Sequence, residues 1–223
     1  MSGFTPLLRT ALRAHGGLFS TGGMAAFFAV LVASLFAIAL APLPQAMTAA
    51  GPAVIWLCAV LSATLSLEAV WHRPLADGRM DVLLLSGVAP LPVVAATVAA
   101  HWLLTGLPLL AAMAALFVAF NLPLVMLAVM MLSLVCATLY LSLTGAVAAL
   151  VTHGARQPGI LMVVLILPLQ LPMLLLGLMA GERALLDPSA FNPYVYLQAA
   201  VLVFALPLVL GGAAWLLRFL LSR

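Results

Sequence analysis

The chain has 223 residues, of which 67% are hydrophobic and 6% are charged, and its formal net charge is +3. Soluble domains carry about one quarter charged residues, so this composition excludes a soluble protein. All eight Lys-plus-Arg positions are arginine, which excludes a phosphate-binding loop because that motif needs a lysine amine. The arginines are scattered singly, whereas a nucleic-acid surface needs several cations on one face.

Residues 1–23 predict an interfacial amphipathic helix, because Leu8 and Leu12 alternate at helical spacing with Arg9 and Arg13. Six apolar runs follow, each long enough to cross the hydrocarbon layer as a helix. They lie at about 24–41, 53–70, 93–120, 124–151, 160–180 and 194–217. The first run is longer than that of a signal peptide, so we expect an uncleaved anchor. The predicted fold class is all-α: a polytopic membrane bundle of six transmembrane helices, forming one domain over residues 1–223.

The connections between these runs are short. Prolines and a glycine bracket residues 42–52 and predict a loop, and residues 121–123 predict a tight turn between antiparallel neighbours. Trp71 suits the membrane interface, where amphipathic rings are favoured. Pro168 and Pro172 predict a kink or break in the fifth span.

The segment 71–92, between spans 2 and 3, is the longest polar connection. It predicts a short helix that Asp77 caps, with Met80, Leu83 and Leu84 at helical spacing. One interpretation is a docking site for a soluble partner. The other is a solvated linker, because charges at membrane interfaces often serve only topology and solubility.

The distribution of arginine predicts the orientation of the chain. Cytoplasmic termini place seven arginines on that side: Arg9, Arg13, Arg73, Arg79, Arg156, Arg218 and Arg223. Only Arg183 then lies across the membrane. Positive charge concentrates on the cytoplasmic side of membrane proteins, so both termini are predicted to be cytoplasmic.

No pattern in the chain predicts catalysis. The acidic residues all fall in or beside predicted loops: Glu68, Asp77, Asp81, Glu182 and Asp187. Ion-coupled carriers usually bury an ionisable group, and no carboxylate falls within a predicted span, so a carrier is disfavoured. An intramembrane protease needs a paired nucleophile and base, and no motif for such a pair occurs in the sequence. Cys58 and Cys136 lie in apolar runs without metal or redox spacing, and we interpret them as core residues.

His101 is the exception among the intramembrane residues. It falls about eight residues into its span, or about 12 Å at the helical rise. It is a candidate haem ligand or proton relay, with Trp102 and Thr105 beside it. Alternatively it donates a hydrogen bond to a neighbouring helix. Alanines at 95, 96, 99 and 100 and the small residues 211–214 permit close helix packing, which supports a helix bundle and leaves a dimer face as a further interpretation.

Several motifs resemble one family. They are Gly51-Pro52 before Ile55-Trp56, Glu68 at the end of the second span, Asp77-Gly78, and Ala100-His101-Trp102 followed by Thr105-Gly106-Leu107-Pro108, with Leu167-Pro168-Leu169 and Pro172 further on. Together they cover about residues 50–175. The chain resembles the CcmB family, the membrane subunits of the haem-exporter ABC complex of cytochrome c maturation.

The resemblance implies a permease subunit of the bacterial inner membrane, present as a homodimer. Its expected partners are an ABC ATPase subunit, a haem-handling membrane subunit and a small helper, and haem would be transported or held by a partner. The implied ATPase-docking segment comprises Glu68, Asp77, Gly78, Arg79, Met80, Asp81, Leu83 and Leu84. Two alternatives stay open: an ABC permease for a lipid or drug, and an assembly factor that transports nothing.

Overall fold

Within residues 4–14, 22–187 and 192–221, which the computed structural model describes, every regular element is helical. The elements are α1 Phe4–Ala14, α2 Gly22–Leu40, α3 Pro44–Ala76, α4 Arg79–Leu85, α5 Pro90–His101, a π turn at Trp102–Gly106, α6 Leu107–Ala119, α7 Leu124–Val151, α8 Pro158–Leu186 and α9 Pro193–Leu221. Six helical stretches in this part of the chain are long and apolar enough to cross a membrane. The prediction of an all-α, six-span bundle is therefore confirmed.

Helix α7 lies at the centre of the bundle. It packs against α3, α6, α8 and α9, and it buries most of its second half. Helix α1 packs against α5 through its half-buried apolar face, while Arg9 and Arg13 on its other face are exposed. The rest of the predicted interfacial helix, residues 1–3 and 15–21, lies outside the described residues.

Helix α3 is longer than predicted at its start. The predicted loop at 42–52 is wrong, because α3 begins at Pro44 and continues through Gly51 and Pro52. Proline is well tolerated in the first turn of a helix, and Pro52 costs a single backbone hydrogen bond. In lipid that cost is smaller than the cost of a loop with many unsatisfied backbone groups.

Helix α3 also runs past its predicted end at residue 70. The backbone of Glu68 therefore lies inside a helix rather than beside a loop. The side chain of Trp71 is fully buried within the bundle, one turn beyond the apolar span Pro44–Leu67, and its level at the membrane interface stays a prediction. Leu67 and Trp71, near the end of α3, belong to the same hydrophobic core as the rest of the bundle.

The third span contains a π turn that the apolar pattern did not predict. The N–H of Leu107 donates to the carbonyl of Trp102, five residues earlier. Pro108 has no N–H to offer the carbonyl one turn before it, which is that of Leu104. Gly106 leaves room for the indole, since a Cβ there would lie 2.8 Å from Trp102 Cδ1.

The two remaining predictions concern turns and prolines. The tight turn at 121–123 is present: Asn121 has a φ of 52°, and the Leu122 N–H donates to the carbonyl of Phe117 at 3.2 Å. Helix α8 continues through Pro168 and Pro172 without a break.

A glycine-to-alanine pair tests the packing of α8. A Cβ on Gly177 would lie 1.9 Å from the fully buried Trp56 ring, whereas a Cβ on Gly211 meets nothing within 4 Å. We expect Gly177→Ala to lower the free energy of unfolding by about 1–3 kcal/mol through overpacking. Gly211→Ala is the matched control and should not destabilise the isolated chain, because no atom of the described bundle obstructs its Cβ. Thermal unfolding in detergent measures both, and an unchanged Gly177→Ala midpoint would contradict this packing.

Candidate functional site

The segment that joins α3 to α5 forms a compact turn-helix-turn. Gly78, with φ 69°, is the residue before α4, and no side chain caps that helix. The predicted cap at Asp77 is therefore wrong: a left-handed glycine makes the turn, and the Asp77 side chain is exposed. Gly87, with φ 84°, makes the second turn before α5.

Helix α4 has one buried face and one exposed face. Met80 is buried, and Leu83 and Leu84 pack against the hydrophobic core. These three predicted docking residues thus face the bundle. The outward apolar residues are Val82 and Leu85, exposed by 68% and 87%, which sequence analysis did not single out. With 3.6 residues per turn, a helix that turns Met80, Leu83 and Leu84 inward must turn the positions between them outward, so the helical period could have indicated this exposed face.

The structure describes the backbone but not the side chains of Glu68, Arg79 and Asp81. Their placement on α3 and α4 brings them into the same segment as Asp77 and Gly78. The predicted docking segment is therefore one continuous stretch of chain at one end of the bundle.

His101 lies at the junction of three helices and is fully buried. Its Nε2 lies 3.0 Å from Ser66 Oγ on α3, and its Nδ1 lies 2.8 Å from Ser142 Oγ on α7. Thr105 Oγ1, in the π turn, lies 3.4 Å from the same Nε2. Both ring nitrogens therefore face hydroxyl groups, which supports the hydrogen-bonding interpretation over an iron ligand.

Each hydroxyl around the ring also reaches a backbone carbonyl of its own helix. Ser66 Oγ donates to Ala63 at 2.6 Å, and Ser142 Oγ donates to Thr138 at 2.9 Å. These bonds keep small polar side chains satisfied inside an apolar bundle. Beside them, Trp102 Nε1 donates to Thr138 Oγ1 at 3.1 Å, which ties the π turn to α7.

Ser66, Ser142 and Thr138 were missed in the sequence because they lie in long apolar runs. Their spacing carried a signal: Thr138 and Ser142 are four residues apart, so they share one face of α7. Among the described residues no group of three His, Cys, Asp or Glu side chains could hold a metal ion. The contacts observed around His101 are hydrogen bonds that join α3, α5 and α7.

The start of α2 marks the level of the cluster. A Cβ on Gly22 would lie 1.5 Å from the carbonyl oxygen of Leu104, so α2 begins against the π turn and continues beside α3 and α6. Its 19 residues extend about 28 Å, close to the thickness of the hydrocarbon layer. His101 lies one turn before Leu104. The cluster around His101 thus lies about one turn outside the first residue of α2, at a level that α3, α5 and α7 reach but α2 does not.

Comparisons with known proteins agree on one family. The sequence profile of the CcmB protein family matches residues 4–218. Heme exporter protein B of Haemophilus influenzae is 37% identical over 137 residues, covering 60% of this chain and 61% of that protein. The Pseudomonas aeruginosa protein of the same name is 38% identical over 134 residues, covering 60% of each.

Heme exporter protein B of Paracoccus denitrificans is 35% identical over 156 residues, covering 69% of this chain and 68% of that protein. The chain thus aligns with about three fifths of the length of the first two relatives and about two thirds of the third. Because the family profile spans nearly the whole sequence, the chain belongs to the CcmB protein family.

Proposed function

We propose that this chain is the membrane subunit of a haem exporter for cytochrome c maturation, driven by a separate ATPase subunit. The observation that carries the proposal is the match of the CcmB profile to residues 4–218, on a bundle of six spans. The relatives are named heme exporter proteins, and haem is accordingly the proposed cargo or a ligand held by a partner.

The ATPase would dock on the outward face of the segment between α3 and α5. That face offers exposed Asp77 together with Val82 and Leu85, while the inward face fixes α4 to the bundle. Val82 and Leu85 would supply the apolar centre of the contact, and Asp77, in the turn before α4, would supply a charge at its polar rim. Such a face differs from a linker, which has no reason to expose two large apolar side chains.

Movement of the docked segment would pass into the bundle along α3. This helix is continuous from Ala76 back to Pro44. Its residue Ser66 lies 3.0 Å from His101, whose other ring nitrogen faces Ser142 on α7. Rigid helices that carry contacts at both ends transmit small shifts in this way. Among the side chains that the structure describes, the pair Ser66 and His101 is then the first polar contact that a shift of α3 reaches inside the bundle.

The orientation supports a cytoplasmic docking face. Six spans put both termini on one side, and that side carries seven of the eight arginines. The eighth, Arg183, forms an ion pair with Asp187 at 3.0 Å, which offsets its charge. The membrane is proposed to be the bacterial inner membrane, with both termini cytoplasmic.

The remaining subunits are proposed to contact the outside of the bundle. Helix α9 exposes large apolar side chains, and a Cβ on Gly211 or Gly212 meets nothing within 4 Å. Such a face suits close approach of a second helix in lipid, where packing drives association. A second copy of this chain, the haem-handling subunit and a small helper are the proposed occupants.

A double charge reversal tests the docking proposal. Asp77→Arg with Asp81→Arg should reduce co-purification of the ATPase by about tenfold or more, since a like-charge contact replaces an attractive one. Glu182→Arg, near the opposite end of the bundle, is the control and should leave co-purification unchanged. Retention of the ATPase by the double variant would reject this docking face.

A further inference from the structure

The hydroxyls around His101 reach more acceptors than they have protons. Ser66 Oγ lies 2.6 Å from the carbonyl oxygen of Ala63 and 3.0 Å from His101 Nε2. Thr105 Oγ1 lies 2.7 Å from the carbonyl oxygen of His101 and 3.4 Å from the same Nε2. A hydroxyl carries one proton, so each of these side chains can donate either to its own helix or to the ring, but not to both at once.

The direction of each bond to the ring depends on which ring nitrogen carries the proton. When Ser142 Oγ donates to the carbonyl of Thr138 at 2.9 Å, it accepts from His101 Nδ1 at 2.8 Å. A neutral imidazole with its proton on Nδ1 presents Nε2 as the acceptor. Two hydroxyls reach that acceptor: Ser66 comes from α3, and Thr105 comes from the π turn that continues α5.

We propose that His101 carries its ring proton on Nδ1, that Ser66 and Thr105 exchange as the donor to His101 Nε2, and that this donor exchange positions α3 during transport. When Ser66 donates, α3 is tied to α5. When Thr105 donates, Ser66 returns to the Ala63 carbonyl and α3 is released. Neither state deprives Nε2 of a hydroxyl donor, so release costs less than the loss of a buried hydrogen bond.

The role of this donor exchange in transport rests on the proposed function. In that function α3 carries the movement of the docked segment, and the exchange sets how readily α3 leaves the cluster. Ser66 and Thr105 are thus positioning residues, which act through α3 and touch no substrate. Whether the exchange occurs is a property of this chain alone.

Amide hydrogen exchange of the full chain in nanodiscs, with no other protein present, tests whether Ser66 and Thr105 alternate as the donor to His101. The measured quantity is amide exchange in peptides that cover residues 60–70 of α3. Ser66→Ala removes the tie, and should accelerate this exchange. Thr105→Val removes the second donor, so the released state loses a bond that the tied state keeps, and exchange should slow. Interhelical hydrogen bonds in membranes indicate changes of about three- to tenfold in each direction.

Two matched controls separate this effect from simple loss of a hydroxyl. Thr97, on α5, donates to the Val93 carbonyl at 2.9 Å and makes no hydrogen bond with the ring. Ser62 is fully buried on α3, one turn before Ser66, and its hydroxyl makes no hydrogen bond with any described residue. Thr97→Val and Ser62→Ala should leave α3 exchange near the wild-type rate, and Thr105→Ser should restore it. Faster or unchanged exchange in Thr105→Val would overturn the proposal.

The assembled complex then tests the role in transport. Thr105→Val should slow cytochrome c maturation while the ATPase co-purifies as with the wild type. Unchanged maturation would reject the role of the exchange in transport. If Thr105→Val slows amide hydrogen exchange in α3 but the chain binds no ATPase, the donor exchange is upheld and the proposed function is rejected. The two failures are therefore distinguishable.

Discussion

Replacing His101 by alanine is expected to lower the free energy of unfolding by about 3–5 kcal/mol, the range for truncating a large buried ring. The imidazole is fully buried where α3, α5 and α7 meet, so its removal leaves a cavity between three helices. Ser66 and Ser142 keep their backbone acceptors, and most of the cost is therefore lost packing. Thermal unfolding of the detergent-purified chain measures it.

Two companion variants of histidine make this result interpretable. His153 is exposed in the connection before α8, and His153→Ala should change the stability by less than about 0.5 kcal/mol. His101→Phe keeps a ring of similar size but removes both nitrogens, so it should lose about 0.6–1.7 kcal/mol per interhelical hydrogen bond. A His101→Phe chain as stable as the wild type, yet unable to support cytochrome c maturation, would instead favour the ligand or relay role.

The sequence predicted the number of spans because lipid leaves the backbone few choices. Each apolar run must close its hydrogen bonds internally, which makes a helix of about 20 residues visible in composition alone. The ends of α3 were harder to predict. Prolines at 42–52 indicate a loop in water, but α3 includes all but the first of them, and Trp71 is buried by the extended end of the bundle.

The candidate site divides in the same way between pattern and packing. His101 stood out in the sequence because an imidazole is rare in an apolar run. Its partners Ser66 and Ser142 did not, since only the packing of α3 and α7 brings them to the ring. The π turn had a visible cause, because Gly106 and Pro108 lie within the third span. Its consequence, a contact with Gly22, depends on where α2 packs.

Helix α2 supplies the second large effect. All of its buried residues are small: Gly22, Ala25, Ala29 and Ala33. They recur every three or four residues, so they form one stripe along which the helix backbone approaches its neighbours. The closest approach is at Gly22, where the neighbouring atoms belong to the backbone of Leu104.

Gly22→Ala is therefore expected to destabilise the chain by about 3 kcal/mol or more, at or beyond the upper end of ordinary overpacking. The new Cβ would lie 1.5 Å from the Leu104 carbonyl oxygen and 2.7 Å from its carbon, and no side chain can rotate away to relieve that contact. Either α2 or the π turn must move. Gly212→Ala, whose Cβ meets nothing within 4 Å, is the control. An unfolding midpoint for Gly22→Ala equal to that of the wild type would show that the start of α2 does not contact the π turn. The position assigned to the His101 cluster, next to the first residue of α2, would then be wrong.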